Sequence, residues 1–312
     1  MPSGDDQSAP SLARRRWLEA PWLNWLSLGA TLYTALAVGT RLQANFDAGR
    51  PPFPPGILDL DSLAGLILHP QTILAGLPYA VTLLAIIAAH ELGHYFACRR
   101  HGVAASAPYF VPDPFFLGSL GGRVLVRGPI YSRRVLFDIG VAGPLAGFAV
   151  AVPALIIGMA LSKKAAGIGD LSGLEFGGSL FVDFVQGMFF PALPDRDVYY
   201  HPMARAAWFG LLATALNLLP AGTLDGGYLV WAVTGRRKVH AAATLATLGA
   251  LVPLSVFFLP WMAWAAVLFV FARRHPYAHD LAPLDVKRVI LAVVALLIFV
   301  VSFMPAPIRY GG

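Results

Sequence analysis

The chain has 312 residues, of which 57% are hydrophobic and 13% charged, against about 45–50% and about 25% in ordinary soluble domains; this excludes a small water-soluble domain and reads as a polytopic membrane protein. Its 23 Lys and Arg outnumber 17 Asp and Glu, but they cluster beside apolar runs, so they are topology signals and not a nucleic-acid surface. A single cysteine, Cys98, excludes an internal disulfide framework.

Residues 1–16 form a polar tail ending in Arg14-Arg15-Arg16, expected on the cytoplasmic side. The apolar stretch from Pro21 to Val38, headed by Trp17, Trp22 and Trp25, is expected to be an uncleaved first span, because a Trp belt suits an anchor. The same order of charged and apolar residues, with Ala35-Leu36-Ala37, also fits a cleaved signal peptide. Pro51-Pro52 and Pro54-Pro55 make 44–70 a loop, so 17–70 is one unit of span and loop.

A core unit is expected over 71–235. Its first span, from Gln71 to Cys98, carries His90-Glu91-Leu92-Gly93-His94 near its end and is closed by Arg99-Arg100-His101-Gly102. Glu91 is the only carboxylate between Ile73 and Cys98, and an ionisable group at membrane depth is costly enough to mark a function. Histidines at i and i+4 project from one helical face, the spacing a metal ion needs, and a glutamate beside them can act as base toward water on the same ion. The plain alternative is an accidental pattern, which a chain with only three glutamates (Glu19, Glu91, Glu175) seldom produces.

Residues 103–134 are too rich in Gly and Pro for a helix and too apolar for a solvent loop. Within them, 118–131 alternates long and β-branched residues between glycines and reads as a short strand. A third span runs from Val135 to Leu161, with Gly140, Gly143-Pro144 and Gly147 expected to be packing glycines. Residues 165–202, with Asp170, Glu175, Asp183, Asp195 and Asp197, read as a polar, acidic loop. A fourth span starts near Met203, breaks at Asn217-Leu218-Leu219-Pro220 and resumes after Leu224-Asp225-Gly226-Gly227. The C-terminal unit, 236–312, holds two or three further spans within 239–259, 261–271 and 289–304.

Seven spans with the N-terminus inside put Arg14 to Arg16, Arg99 to Arg134, Arg236-Arg237-Lys238, Arg273-Arg274 and Lys287-Arg288 on the cytoplasmic side, and the acidic loop outside. Lys163-Lys164 is the one exception. The expected fold is therefore an all-α polytopic membrane protein of about six to seven transmembrane helices with a small membrane-associated β element. It is expected to sit in a lipid bilayer, assigned to a bacterial inner membrane, with its site toward the cytoplasm.

A catalytic zinc takes three protein ligands and leaves one position open, so the histidine pair needs a third. The metzincin pattern fails, because position 100 is Arg100 and position 97 is Ala97. Glu175 belongs to the loop on the far side. Asp113 lies between Pro112 and Pro114 in a loop, and Asp138 lies in a helix's first turn, where it favours the dipole and can pair with Arg134. Cys98 follows His94 by one turn but sits too far along the same helix. Asp225 stands in an apolar stretch just after a broken helix, where charged groups persist only when they line a functional cavity. The alternative for Asp225 is to cap a short helix starting near Gly227.

His90 to His94, together with Asn217, Pro220 and Leu224-Asp225-Gly226, resembles the paired signatures of the site-2 protease family of intramembrane zinc metalloproteases. Ala142-Gly143-Pro144 is similar to that family's small-residue element, and the similarity runs from Gln71 to Thr234 in the manner of members without a PDZ domain. The resemblance implies one Zn²⁺ per chain on His90, His94 and Asp225, with Glu91 as general base. It also implies Asn217 as an amide holding substrate backbone or the oxyanion, and regulated cleavage of peptide bonds in or next to the transmembrane segments of membrane-protein substrates. Such a protease must unwind a helix and hold it extended, which an exposed strand edge does by pairing. Gly121, Gly122, Val124 and Val126 are the residues expected to bind substrate that way. The rival reading is a transporter whose buried His and Asp groups conduct protons or metal ions.

Overall fold

The computed structural model describes residues 21–52, 65, 69–168, 174–194, 197–272, 280 and 282–310. The tail 1–16, Trp17, Asp170, Asp195 and Arg273-Arg274 lie outside the described residues. Within them the chain is mostly α-helical, with three two-stranded sheets.

Helix α1 (Pro21–Asp47) packs along α2 (Ile73–Arg100), which follows a single 3-10 turn at Pro70–Thr72. The two backbones touch where neither residue has a side chain: a Cβ on Gly39 would fall 2.5 Å from the Gly76 carbonyl oxygen. Small residues at crossings are how helices associate where lipid supplies no hydrophobic drive. The same device joins α2 to α3 (Arg133–Ala160), where a Cβ on Gly93 would lie 2.5 Å from the Ala142 carbonyl oxygen. It recurs between Gly158 of α3 and Ala204 of α5 (Pro202–Asn217). The main core collects Tyr79, Leu83 and Ile86 of α2 with Leu155 and Met159 of α3 and Trp208 and Leu211 of α5.

The expected break in the fourth span is present. α5 stops at Asn217, and α6 (Asp225–Thr234) begins after the turn at 218–224. Beyond it come α7 (Arg237–Leu254), α8 (Pro260–Ala272) and α9 (Val286–Ser302). Among the described residues, two helical stretches, Pro70–Arg100 and Arg133–Ala160, are long and apolar enough to cross a membrane. α8 has 13 described residues, about 20 Å at 1.5 Å per residue, against roughly 30 Å of hydrocarbon, so the span expected at 261–271 does not cross by itself over that length.

Between α2 and α3 lies the expected β element. β1 (Tyr109–Asp113) pairs antiparallel with β2 (Gly118–Arg123), Phe110 opposite Gly122, with a bulge between Val111 and Pro112. The strand is shorter than the 118–131 expected. Pro108 has no N–H to extend the ladder, and Ser106 takes over: its amide donates to the Leu125 carbonyl and its hydroxyl accepts the Leu125 N–H, both at 2.9 Å. Ala105 then makes a single bridge with Val126.

The acidic loop holds more structure than its charges suggest. β3 (Lys163–Lys164) pairs with β5 (Val198–Tyr199), β4 (Leu174–Phe176) pairs with β6 (Ile308–Tyr310), and α4 (Leu180–Phe189) packs on α3. Ser179 caps α4 by accepting the Val182 N–H. Lys163, the exception to the expected charge pattern, has a structural role: its ammonium bonds the Phe46 carbonyl and lies 4.3 Å from the Phe46 ring centroid.

Candidate metal centre and active site

His90 and His94 lie one turn apart on α2, with ring centroids 4.9 Å apart and Nε2 atoms 3.1 Å apart. The room for their rings comes from α3. A Cβ on Gly143 would land on the His94 imidazole, and one on Gly147 would lie 3.2 Å from His90 Cβ. Gly143 and Gly147, two of the packing glycines read from the sequence, therefore pack against the candidate ligands themselves. His94 faces a point ten residues into α3, about 15 Å along its axis.

Asp225 reaches the pair from α6. Gly226 and Gly227 let the first turn of α6 press onto the preceding loop, because a Cβ on either would strike the carbonyls of Leu218 or of Ala221 and Gly222. At the other end of α6, the Arg133 side chain donates to the last carbonyls, those of Ala232 and Val233, which fixes the helix along its axis. Asp225 Oδ2 then lies 3.2 Å from His90 Nε2 and 3.3 Å from His94 Nε2. The N-cap of α6 is Leu224, with no side-chain cap bond, so the capping alternative for Asp225 is set aside.

These three atoms fit a metal ion. Four ligands at about 2.0 Å in a tetrahedron stand about 3.3 Å apart, and the observed edges are 3.1, 3.2 and 3.3 Å. The chemistry agrees: His94 Nδ1 lies 2.8 Å from the Ile139 carbonyl, which can only accept, so Nδ1 carries a proton and Nε2 is left as a lone-pair donor for a cation shared with the carboxylate. Among the described residues, this is the single cluster of three such groups, its ligand atoms all within 4.8 Å of one another.

Glu91 is 5% exposed, packed beneath β2: a Cβ on Gly122 would fall 2.6 Å from Glu91 Cγ, and the Val124 backbone amide faces its carboxylate. Both groups border a cavity of about 440 Å³ shared by His90, His94, Asp225 and Asn217. Val126 also lines it, and its bridge to Ala105 is carried by bonds from the flanking residues (Ser106 N–H to Leu125, Arg127 N–H to Ala104). The Val126 amide and carbonyl thus point to the opposite edge. Gly121, at φ +111°, does not line the cavity.

The rejected carboxylates have work elsewhere. Asp113 accepts the amides of Phe115, Phe116 and Leu117 at 3.0, 3.2 and 2.6 Å, closing the hairpin turn. Asp138 does not pair with Arg134 as expected. Its carboxylate takes Arg288 of α9 at 2.6 and 2.8 Å and His101 at 2.9 Å, while Arg134 donates to the Pro283 carbonyl. Bidentate geometry favours that partner, and nothing in the local sequence announces it. Cys98 is fully buried and free. The sequence reading missed Tyr228 and Trp264 on the cavity wall. Tyr228, three residues after Asp225, was available from helical spacing, whereas Trp264 arrives only through the tertiary placement of α8.

A family model described as peptidase family M50 matches residues 78–259, which include both halves of the cluster. The chain is similar to the probable chloroplastic zinc metalloprotease EGY1 of Arabidopsis thaliana, 29% identical over 97% of this chain and 58% of the relative. It is also similar to the probable EGY1 protease of Oryza sativa subsp. japonica, 31% identical over 74% and 41%, and to the probable EGY2 protease of Arabidopsis thaliana, 30% identical over 76% and 43%. The chain thus spans between 41% and 58% of the length of these curated relatives.

Proposed function

The chain belongs to peptidase family M50, the site-2 proteases, and from that premise we propose that it is a zinc metalloendopeptidase cutting peptide bonds in or next to transmembrane segments of membrane proteins. The observation that carries the proposal is the convergence of His90, His94 and Asp225 with Glu91 on one cavity inside the helical bundle. The relatives' names say zinc metalloprotease, which supports the same chemistry here. A buried carboxylate beside the three ligands favours hydrolysis over transport, since conduction needs no base at that point.

His90, His94 and Asp225 would hold the ion. Zinc in such a site polarises the scissile carbonyl and makes water acidic enough to attack near neutral pH. Glu91 accepts the proton of the attacking water and returns it to the leaving amine. The Ile139 carbonyl keeps His94 in the tautomer that presents Nε2. Asn217 offers its amide to the substrate backbone. The substrate lies extended along the Val124–Val126 edge, where the amide and carbonyl of Val126 replace bonds lost when its helix unwinds. Gly122 has no side chain to come between Glu91 and that strand.

The proposed setting is a bilayer crossed by Pro70–Arg100 and Arg133–Ala160 together with the shorter helices, six to seven crossings in all, with the site nearer the face that carries Arg99 and Arg100. The bacterial inner membrane expected from the sequence draws no support from the relatives, whose names place them in the chloroplast. The test is Glu91→Gln in purified full-length protein with a transmembrane reporter substrate. Bound zinc and melting temperature should match the parent while cleavage is abolished; appreciable turnover would refute the proposal.

A further inference from the structure

Tyr228 is not among the residues that the metal cluster or the base requires, yet it is placed by the same device. Three residues after Asp225 on α6, it shares that residue's face, and its amide bonds the Leu224 carbonyl at 2.9 Å, so it belongs to the regular first turn. Along α3, glycines at 140, 143 and 147 each give way to one neighbour. Gly143 and Gly147 admit His94 and His90, while a Cβ on Gly140 would stand 3.1 Å from Tyr228 Cβ. Tyr228 lines the same cavity as His90, Glu91 and His94, and Asp225 and Arg123 are the charged groups close enough to act on its phenol. Asp225 is committed to the imidazoles, and Arg123 can only donate. Among the described residues no group takes the Tyr228 hydroxyl hydrogen, so a phenol there is a neutral donor for an oxygen entering the cavity.

We propose that Tyr228 is a catalytic residue, donating a hydrogen bond to the scissile carbonyl oxygen as charge develops on it. The inference rests on the hydrolytic reading above. Water oxygen bonds to the carbonyl carbon, Glu91 takes the released proton, and the C=O π pair moves onto oxygen. When the C–N bond breaks, its pair stays on nitrogen, which receives the proton from Glu91, and oxygen returns its pair to carbon. Tyr228 keeps its own proton throughout, and its bond is strongest while the oxygen is negative. Donors so placed contribute about 10²–10³-fold in rate; as one of several groups serving that oxygen, Tyr228 is expected to account for about 10–100-fold.

The experiment compares parent and Tyr228→Phe as full-length zinc-loaded proteins. The first assay measures kcat and KM on a transmembrane reporter peptide, and the second measures the affinity of a phosphinic peptide that mimics the tetrahedral state. The uncleaved reporter is also bound to Glu91→Gln with and without Tyr228→Phe. The proposal expects kcat and phosphinate affinity to fall together by about 10–100-fold, with zinc content, melting temperature and reporter binding unchanged. A kcat within twofold of the parent, or equal losses of reporter and phosphinate binding, would overturn it. Absence of cleavage by the parent itself would instead overturn the hydrolytic reading, and the role of Tyr228 with it.

Discussion

Gly143→Ala isolates the connection between α3 and the metal centre. Inside an exposed helix, replacing Gly by Ala normally stabilises by about 0.5–1 kcal/mol, because the chain loses less entropy on folding. Gly249 of α7, with nothing within 4 Å of an added Cβ, should behave that way. At Gly143 the added carbon would overlap Nε2, Cε1 and Cδ2 of His94, where carbon contacts want about 3.5–4.0 Å. The imidazole must therefore swing by on the order of 1 Å, twice the tolerance of about 0.5 Å within which a constellation stays productive. The swing also breaks the 2.8 Å bond to the Ile139 carbonyl, and such supporting bonds are worth about 10–100-fold in metal affinity. Chelator competition with metal analysis should show zinc affinity down by at least about tenfold, with the metal-free protein destabilised by about 1–3 kcal/mol as for an overpacked core. Gly147→Ala, meeting His90 Cβ at 3.2 Å, should do so more mildly. Parent-like zinc affinity in Gly143→Ala would refute the placement of His94 as a ligand held by α3.

Asp225→Ala should lose zinc, whereas Asp113→Ala should keep it and lower stability by about 1–3 kcal/mol, since three part-buried amides lose their acceptor; metal analysis and thermal melts showing the reverse would exchange their roles. Val126→Pro should lose reporter cleavage with zinc and melting temperature near normal, because it removes an outward donor. Leu125→Pro should destabilise, since that amide bonds Ser106 Oγ, and full activity in Val126→Pro would exclude substrate pairing along this edge. Cysteines at Lys238 and Asp197 should react with an impermeant maleimide from opposite faces of a sealed membrane; labelling from one face would overturn the topology.

The candidate metal cluster was legible in the sequence because charge is rare in its apolar runs. With only three glutamates in the chain, the cost of a buried carboxylate singled out Glu91, and the same cost, applied after Asn217 and Pro220, singled out Asp225. What failed were inferences resting on neighbours in sequence. Asp138 looked paired with Arg134, four residues away, but its carboxylate is held by Arg288, 150 residues on, because only the packing of α9 on α3 brings that guanidinium within bidentate reach. The strand at 118–131 was over-extended because strand length depends on a partner, and Pro108 ends the partner's ladder.

The acidic loop shows the same limit from the other direction. Its five carboxylates suggested a solvated segment, yet Ser179 followed by Leu180-Phe181-Val182 is a local helix start, and α4 forms there. Val182 and Val185 are buried against the core, while Leu180, Phe184 and Met188 are each about two-thirds exposed. Average charge conceals such a helix because Asp183 and Gln186, its polar members, are taken up locally: Asp183 sits in the first turn, where the dipole favours it, and Gln186 accepts the Tyr200 hydroxyl. Periodicity within ten residues outweighs composition over forty, for the reason that made His90 and His94 readable: a helix places i and i+4 on one face wherever it forms, whereas a charge count says nothing about which face it occupies.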